Sequence, residues 1–318
     1  MPQREGSPWQ GMSVVFFREL FDHLTSARML VLELLVLICG AVVVYIAVEQ
    51  TRATTAEDAF LFLRLFSPSG QTFSFVLVIS LLAPIMAIGL SFDSVNGEYN
   101  RRTMSRILSQ PIYRDALLLG KFLGGLATLT ICLVTLWLLV IGFGLIRLGI
   151  PPSAEEIGRL IMFLFITIAY VGVWLALSLL LSVVFRSTAT AALVGLGLWL
   201  FLSLLWPILA QMIGEAISPS DIRFATLGLP TPDTLAWQEA LQRLSPSFLY
   251  GEAVRAMLNP DAQSLTTLLA QFQGRIPSPL PLNQSIIQVW PQMVSLVAGM
   301  ILLYVVGYVV FQRQEVRA

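Results

Sequence analysis

Between Leu160 and Ile213 the chain carries a single charge, Arg186. At about 1.5 Å of rise per residue that stretch is far too long for one helix across a hydrocarbon core of about 30 Å. It reads instead as two spans broken at Phe185-Arg186-Ser187. Four further apolar windows of spanning length lie at about 29–48, 73–92, 117–146 and 288–311, which with 160–185 and 188–213 make six. Of 318 residues, 56% are hydrophobic and only 12% charged. Soluble domains carry about 25% charge, and half of that cannot cover a water-facing surface of this size. The fold class is therefore all-α: a polytopic membrane protein with six transmembrane helices.

Orientation follows from arginine placement, because basic residues flanking spans stay in the cytoplasm. The loop 93–116 after the second span holds Arg101, Arg102, Arg106 and Arg114. The only lysine, Lys121, follows at the start of the third span. With Arg4, Arg18, Arg28, Arg186, Arg313 and Arg317 on the same side, both termini are expected in the cytoplasm and the chain in the cell (cytoplasmic or inner) membrane. The first 28 residues lack the uninterrupted apolar core and small-residue site of a signal peptide.

The chain divides into 1–28, 29–213, 214–287 and 288–318. Within the first segment, residues 12–27 form an amphipathic helix lying in the cytoplasmic interface. Phe16, Phe17, Leu20, Phe21 and Leu24 occupy one face, and Arg18, Glu19, Asp22 and His23 the other. The segment 214–287 is a small extracytoplasmic cap of short helices, at about 232–244, 246–258 and 262–272. The first two open at Thr231-Pro232 and Ser245-Pro246, N-cap residues followed by proline. Residues 59–66 form a short helix at the outer interface. Gly120, Gly124, Gly125, Gly142 and Gly144, with Gly195 and Gly197, supply small faces for close helix approach and subunit pairing.

No cluster of His, Cys and carboxylates marks a metal site, and no GxxxxGK[ST] loop or GxSxG elbow is present. Gly120-Lys121-Phe122 imitates the end of a phosphate loop, but Phe122 cannot ligate magnesium. Cys39 and Cys132 sit inside spans as buried thiols. Net charge is +0, which gives no basis for nucleic-acid binding. Glu33 is the one ionisable group well inside a span, close enough to the interface to pair with Arg28 or a loop arginine. These absences argue against a membrane-embedded enzyme and against ion-driven antiport.

What remains is the charged loop. A helix over 94–109 places Met104, Ile107 and Leu108 on one side and Arg102 and Arg106 on the other. Glu98 stands four residues before Arg102, a favourable order for a helical pair. Ser109-Gln110-Pro111 stops that helix, and a new one starts near Tyr113 and enters the third span. Glu98-x-x-x-x-Thr103-Met104-x-x-Ile107-Leu108-Ser109-x-Pro111-Ile112-x-Arg114, with Leu118-Leu119-Gly120-Lys121-Phe122-Leu123 after it, resembles the signature of ABC-2 type transporter permeases. Leu244-Ser245-Pro246-Ser247, continuing to Leu258-Asn259-Pro260 before the last span, extends the likeness. The layout is most similar to the branch that includes the copper-site maturation permease of nitrous-oxide reductase and the gliding-motility permeases. Arg102 stands where that family usually has glycine.

The resemblance implies the transmembrane subunit of an ATP-binding-cassette exporter, non-catalytic itself and without a cofactor of its own. ATP and magnesium would be bound by a separate ATPase subunit, and a second permease copy or paralogue would complete the pair in the lipid bilayer. Glu98, Arg101, Arg102, Thr103, Arg106, Ser109, Pro111 and Arg114, together with the interfacial helix, would face the ATPase. An alternative is an ATP-driven scaffold that moves an extracytoplasmic partner at 214–287 and no solute.

Overall fold

The structure, a computed structural model, describes residues 8–53, 60, 62–66, 74–103, 113–149, 151–218, 231–259 and 280–314. Its helices are α1 (Pro8–Leu24), α2 (Ala27–Ala53), α3 (Phe75–Ser91), α4 (Asn96–Asn100), α5 (Arg114–Leu148), α6 (Ala154–Val184), α7 (Thr188–Leu200), α8 (Trp206–Ile217), α9 (Pro232–Gln242), α10 (Pro246–Leu258) and α11 (Leu282–Arg313). No strand occurs among the described residues. Among the described residues, six segments are long and apolar enough to cross a membrane: Ala27–Glu49, Phe75–Asn100, Arg114–Leu148, Ala154–Val184, Thr188–Ile217 and Leu282–Arg313. The all-α, six-span reading of the sequence is what the chain adopts. The break at Phe185–Ser187 is real: Phe185 ends α6, and the Ser187 hydroxyl accepts from the Thr190 amide to start α7. The expected helix over 262–272 lies outside the described residues.

α6 is the central post. Its apolar window is 67% buried, against 11% for the α7–α8 segment. At the end remote from α1, Ser153 and Glu156 form a capping box, and the other Glu156 oxygen accepts from the Phe62 amide at 2.8 Å. The turn Leu63–Leu65 is thereby held inside the bundle. Phe62, Leu63, Leu65 and Phe66 are all buried, with Phe66 edge-on to Phe75 and Phe163. The short helix expected at the outer interface is thus a plug rather than a surface element. Gly144 makes room for it, since a Cβ there would lie 2.6 Å from Leu65.

The segment after α8 departs from the external cap expected. α9 folds back along α8, with the Trp206 indole donating to Leu241 O at 2.8 Å and Gly214 in close approach to Gln238. α10 then returns beside α6. Tyr250 stacks on Tyr170 at 4.3 Å near one end, and Met257 O meets Arg159 at the other. α9 and α10 are therefore two short helices packed alongside the spans, α9 on α8 and α10 against α6 and α11, level with the apolar part of α6. The reason is its inward face: Tyr250, Ala253, Val254, Met257 and Leu258 repeat at helical spacing and are buried.

Pro84, Pro207 and Pro291 lie inside spans, and the first two leave carbonyls whose replacement donors the structure shows. Pro84 frees Ser80 O, which the Tyr170 hydroxyl fills at 3.0 Å. Around Phe201–Leu205 the helix widens to a π turn, with Trp206 N bonded to Phe201 O; in that register Pro207 frees Leu202 O. The Ser245 hydroxyl fills it at 2.8 Å. Ser245 occupies the N-cap position of α10 but spends its hydroxyl on α7–α8 rather than on its own helix, whereas Thr231 caps α9 through the Thr234 amide.

Candidate functional site

The amphipathic helix α1 lies along α5. Gly120 and Gly124, four residues apart, form the groove that admits it. A Cβ at Gly120 would come within 2.7 Å of Val15, and one at Gly124 within 2.9 Å of Glu19. Small residues at this spacing let two helix backbones approach closely. The glycines expected to serve subunit pairing are thus used within the chain here, and Gly125 meets Leu175 of α6. Among the described residues, a Cβ at Gly142 or Gly197 would have nothing within 4 Å.

The rotation of α1 differs from the expectation. Phe17 and Phe21 are 55% and 64% exposed, whereas Phe16, Leu20 and Leu24 are half-buried. Glu19 and His23, assigned to the outward polar face, turn inward with Val15. The cause is Lys121, the next residue after the first groove glycine. Its ammonium donates to Glu19 Oε1 at 2.6 Å and to Glu98 Oε1 at 2.7 Å, and its side chain is 3% exposed. His23 Nε2 lies 3.6 Å from the other Glu19 oxygen. Burial pushes the His23 imidazole below its ordinary pKa, helped by Lys121, against the opposite pull of Glu19, Asp93 and Asp22. A buried ammonium with two carboxylates joins α1, α4 and α5 in one cluster.

α4 is tied on its other side to α6. The amides of Val95 and Asn96 both donate to Ser182 Oγ, at 3.0 and 3.3 Å, and Asn96 Nδ2 donates to Phe185 O at 3.1 Å. Asn100 Nδ2 reaches Arg186 O at 3.2 Å. Just before α4, Asp93 pairs with Arg28 of α2 at 2.9 Å. Arg114 donates to Gln314 O, linking α5 to the end of α11. Arg28 is thus engaged by Asp93 rather than by Glu33, which lies near the Cys132 thiol of α5.

The helix expected over 94–109 is short in its described part. α4 ends at Asn100, and Arg102 has φ 55°, a left-handed conformation that side chains disfavour. The Arg102 amide bonds Tyr99 O and the Thr103 amide bonds Glu98 O, both at 3.0 Å. These are the two bonds of a Schellman C-cap, whose left-handed position is usually glycine. The arginine standing in the family's glycine position thus occupies the one backbone site in α4 that calls for glycine. The Glu98–Arg102 pair is not formed, because Arg102 is past the helix end and Glu98 has turned to Lys121. Arg101 and Arg102 are exposed, and the Thr103 hydroxyl donates to Glu98 O. Arg106, Ser109 and Pro111 lie outside the described residues.

Sequence reasoning brought Glu98 to the site but missed its partners. Lys121 was noticed as the sole lysine, yet a lone cation at the start of an apolar run demands buried carboxylates. Glu19, one turn from His23 on a helix judged to be surface, was the available one.

The fold defines a multi-pass helical membrane protein with an amphipathic helix and a polar joint gathered at one end of its spans. The chain belongs to the ABC-2 family of transporter proteins, which it matches over residues 13–316. It is also similar to a probable ABC transporter permease protein, NosY, of Pseudomonas aeruginosa, with 36% identity over 110 residues. That alignment covers 35% of this chain and 36% of the relative. The chain is thus a multi-pass membrane protein of the ABC-2 transporter family.

Proposed function

We propose that the chain couples ATP hydrolysis on a separate subunit to export across the cytoplasmic membrane, with both termini and the α1 end in the cytoplasm. The observation that carries this reading is the buried Lys121 cluster. It joins α1 and α4, the two elements at the cytoplasmic surface in this reading, to α5, a span. A push delivered to α1 or α4 by the ATPase reaches α5 through contacts of 2.6 and 2.7 Å and reaches α6 through Ser182. ATP and magnesium belong to the partner subunit. Glu98, Arg101, Arg102, Thr103, Arg106, Ser109, Pro111 and Arg114, with the exposed Phe17 and Phe21 anchoring α1 in the interface, make up the coupling region. A second permease copy or paralogue pairs with the least buried span, α7–α8, whose outward face carries Leu193, Leu200, Leu204, Ile208 and Met212.

The test is reconstitution with a soluble ABC ATPase. Glu98→Gln and Lys121→Met should leave the subunits associated and ATP hydrolysis running while transport stops responding to it. Full turnover by this chain reconstituted alone, without any nucleotide hydrolase, would refute the reading.

A second reading, an ATP-driven scaffold acting on an extracytoplasmic partner, has one observation in its favour. Arg159, fully buried in α6, binds Met257 O of α10, Leu280 O before α11 and Ser285 of α11. Movement of the spans would therefore be handed to the far end as a unit. Substituting the exposed Asp233 and Trp237 of α9, which leaves the buried face of α10 intact, separates the two readings: lost partner assembly with retained solute efflux favours the scaffold.

A further inference from the structure

A cleft of about 710 Å³ opens between α4, the α6–α7 turn and the end of α11. That is within the range of roughly 300–1,000 Å³ in which small-ligand sites fall. Tyr99, Asn100, Ser182, Arg186 and Gln314 supply its polar lining, and Val184, 46% exposed, its apolar rim. No carboxylate lines it among the described residues. Arg186 lines the cleft directly, and Arg114 reaches its edge by donating to the main-chain oxygen of Gln314, another lining residue. Arg186 is exposed and forms no ion pair among the described residues; only its main-chain oxygen is engaged, by Asn100.

We propose that this cleft binds the phosphate of a net-anionic phospholipid from the leaflet on the α1 side. Three features select that ligand. The cleft sits where α3, α6 and α11 end, at the level of lipid headgroups. Among the described residues its lining carries one charge, the positive Arg186, and basic pockets between span ends recruit anionic headgroups. Arg186 adjoins Val184, so a phosphate at the guanidinium leaves its acyl chains against an apolar side chain facing lipid. The lipid then bridges the α4 segment and the α6–α7 turn, and its presence stiffens the joint at which the coupling region meets the central post.

The inference stands on this chain alone, so its test omits the ATPase, and failure leaves the coupling reading untouched. The purified chain is placed in nanodiscs of phosphatidylglycerol mixed with phosphatidylcholine, extracted with mild detergent, and its retained lipid counted by native mass spectrometry. Phosphatidylglycerol should be retained in roughly five- to tenfold excess, and Arg186→Gln should abolish that preference. Arg186→Lys, which keeps the charge, should restore most of it. Tyr99→Phe is a second variant that leaves the turn intact, and it should weaken retention to a smaller extent. Equal retention of both lipids, or a preference unchanged in Arg186→Gln, overturns the proposal. Displacement of the bound lipid by inorganic phosphate alone would assign the cleft to a soluble anion instead and overturn it as well.

Discussion

Replacing Lys121 with methionine removes one charge and strands two. Lys121→Met keeps the length and volume of the side chain between Gly120 and Gly124, so α1 can still lie in its groove. Glu19 and Glu98, however, lose the ammonium that each now contacts at 2.6 and 2.7 Å. At an effective dielectric of about 20, a contact of that length is worth about 6 kcal/mol of attraction before desolvation is charged against it. Desolvating the ions consumes most of that gain. What the variant measures is the cost of leaving carboxylates buried without a partner, about 3–5 kcal/mol. At roughly 2–4 °C per kcal/mol, the apparent melting temperature in detergent should fall by roughly 6–20 °C. Intrinsic tryptophan fluorescence during a thermal ramp reads this directly. The triple variant Lys121→Met, Glu19→Gln, Glu98→Gln removes all three charges together and should recover much of the loss, because a cluster of this kind is far more costly to break than to replace. If Lys121→Met alone melts at the wild-type temperature, the carboxylates have found water or other donors, and the cluster is not the joint described above.

Four further outcomes follow from the same geometry. Arg102→Gly should raise stability by about 0.5–1 kcal/mol, since glycine accepts φ 55° without strain; a loss in thermal unfolding would mean that the guanidinium makes a stabilising contact. Tyr170→Phe leaves Ser80 O without its donor beside Pro84 and should cost about 1–3 kcal/mol by the same measurement. Gly124→Val should displace α1 from α5, because the new side chain begins 2.9 Å from Glu19 and 3.2 Å from Phe16 O; a cysteine placed at Val15 would then become reactive to a maleimide. His23, whose folded pKa lies below its ordinary value of 6.5, binds fewer protons folded than unfolded. Its contribution to stability is therefore complete above about 6.5 and is lost as pH falls through the lowered folded value, so melting temperatures at pH 7.5 and 5.5 should differ less in His23→Gln than in the wild type.

The spans were legible because a bilayer leaves a chain few choices: about 20 apolar residues in a row form a helix or do not cross. The lone Arg186 located the turn between α6 and α7 for the same reason. The start of α10 was legible at Pro246, but its place was not. The signal existed: Tyr250, Ala253, Val254, Met257 and Leu258 mark a face that needs a helix against it, and the surrounding prolines drew attention to the loop instead. α1 was legible as an amphipathic helix but not in its rotation. Its apolar stripe is wide enough to be split between bundle and surroundings, and the buried lysine that decides the split is about a hundred residues away. The coupling segment was misread at Arg102. Local spacing favours a Glu98–Arg102 pair, while Lys121 offers Glu98 a buried partner and the backbone turns at Arg102 into a cap.

Apolar packing alone does not account for where α9 and α10 sit. In a bilayer an apolar side chain gains little by leaving lipid for protein, so burying Val254 or Met257 does not select one neighbour over another. An unpaired carbonyl does select, because lipid offers it no donor. Pro84 in α3 and Pro207 in α8 each create one such acceptor, at Ser80 and Leu202. The hydroxyl that fills Ser80 O belongs to Tyr170, which also bonds Ser247 of α10, and the one that fills Leu202 O belongs to Ser245 beside it. Ser247 in turn meets Ser203 at 2.7 Å. Pro84, Pro207, a π turn and the Ser245-Pro246-Ser247 tip therefore form one register device: the first two prolines supply the vacant acceptors, and only this depth of insertion brings the hydroxyls to them.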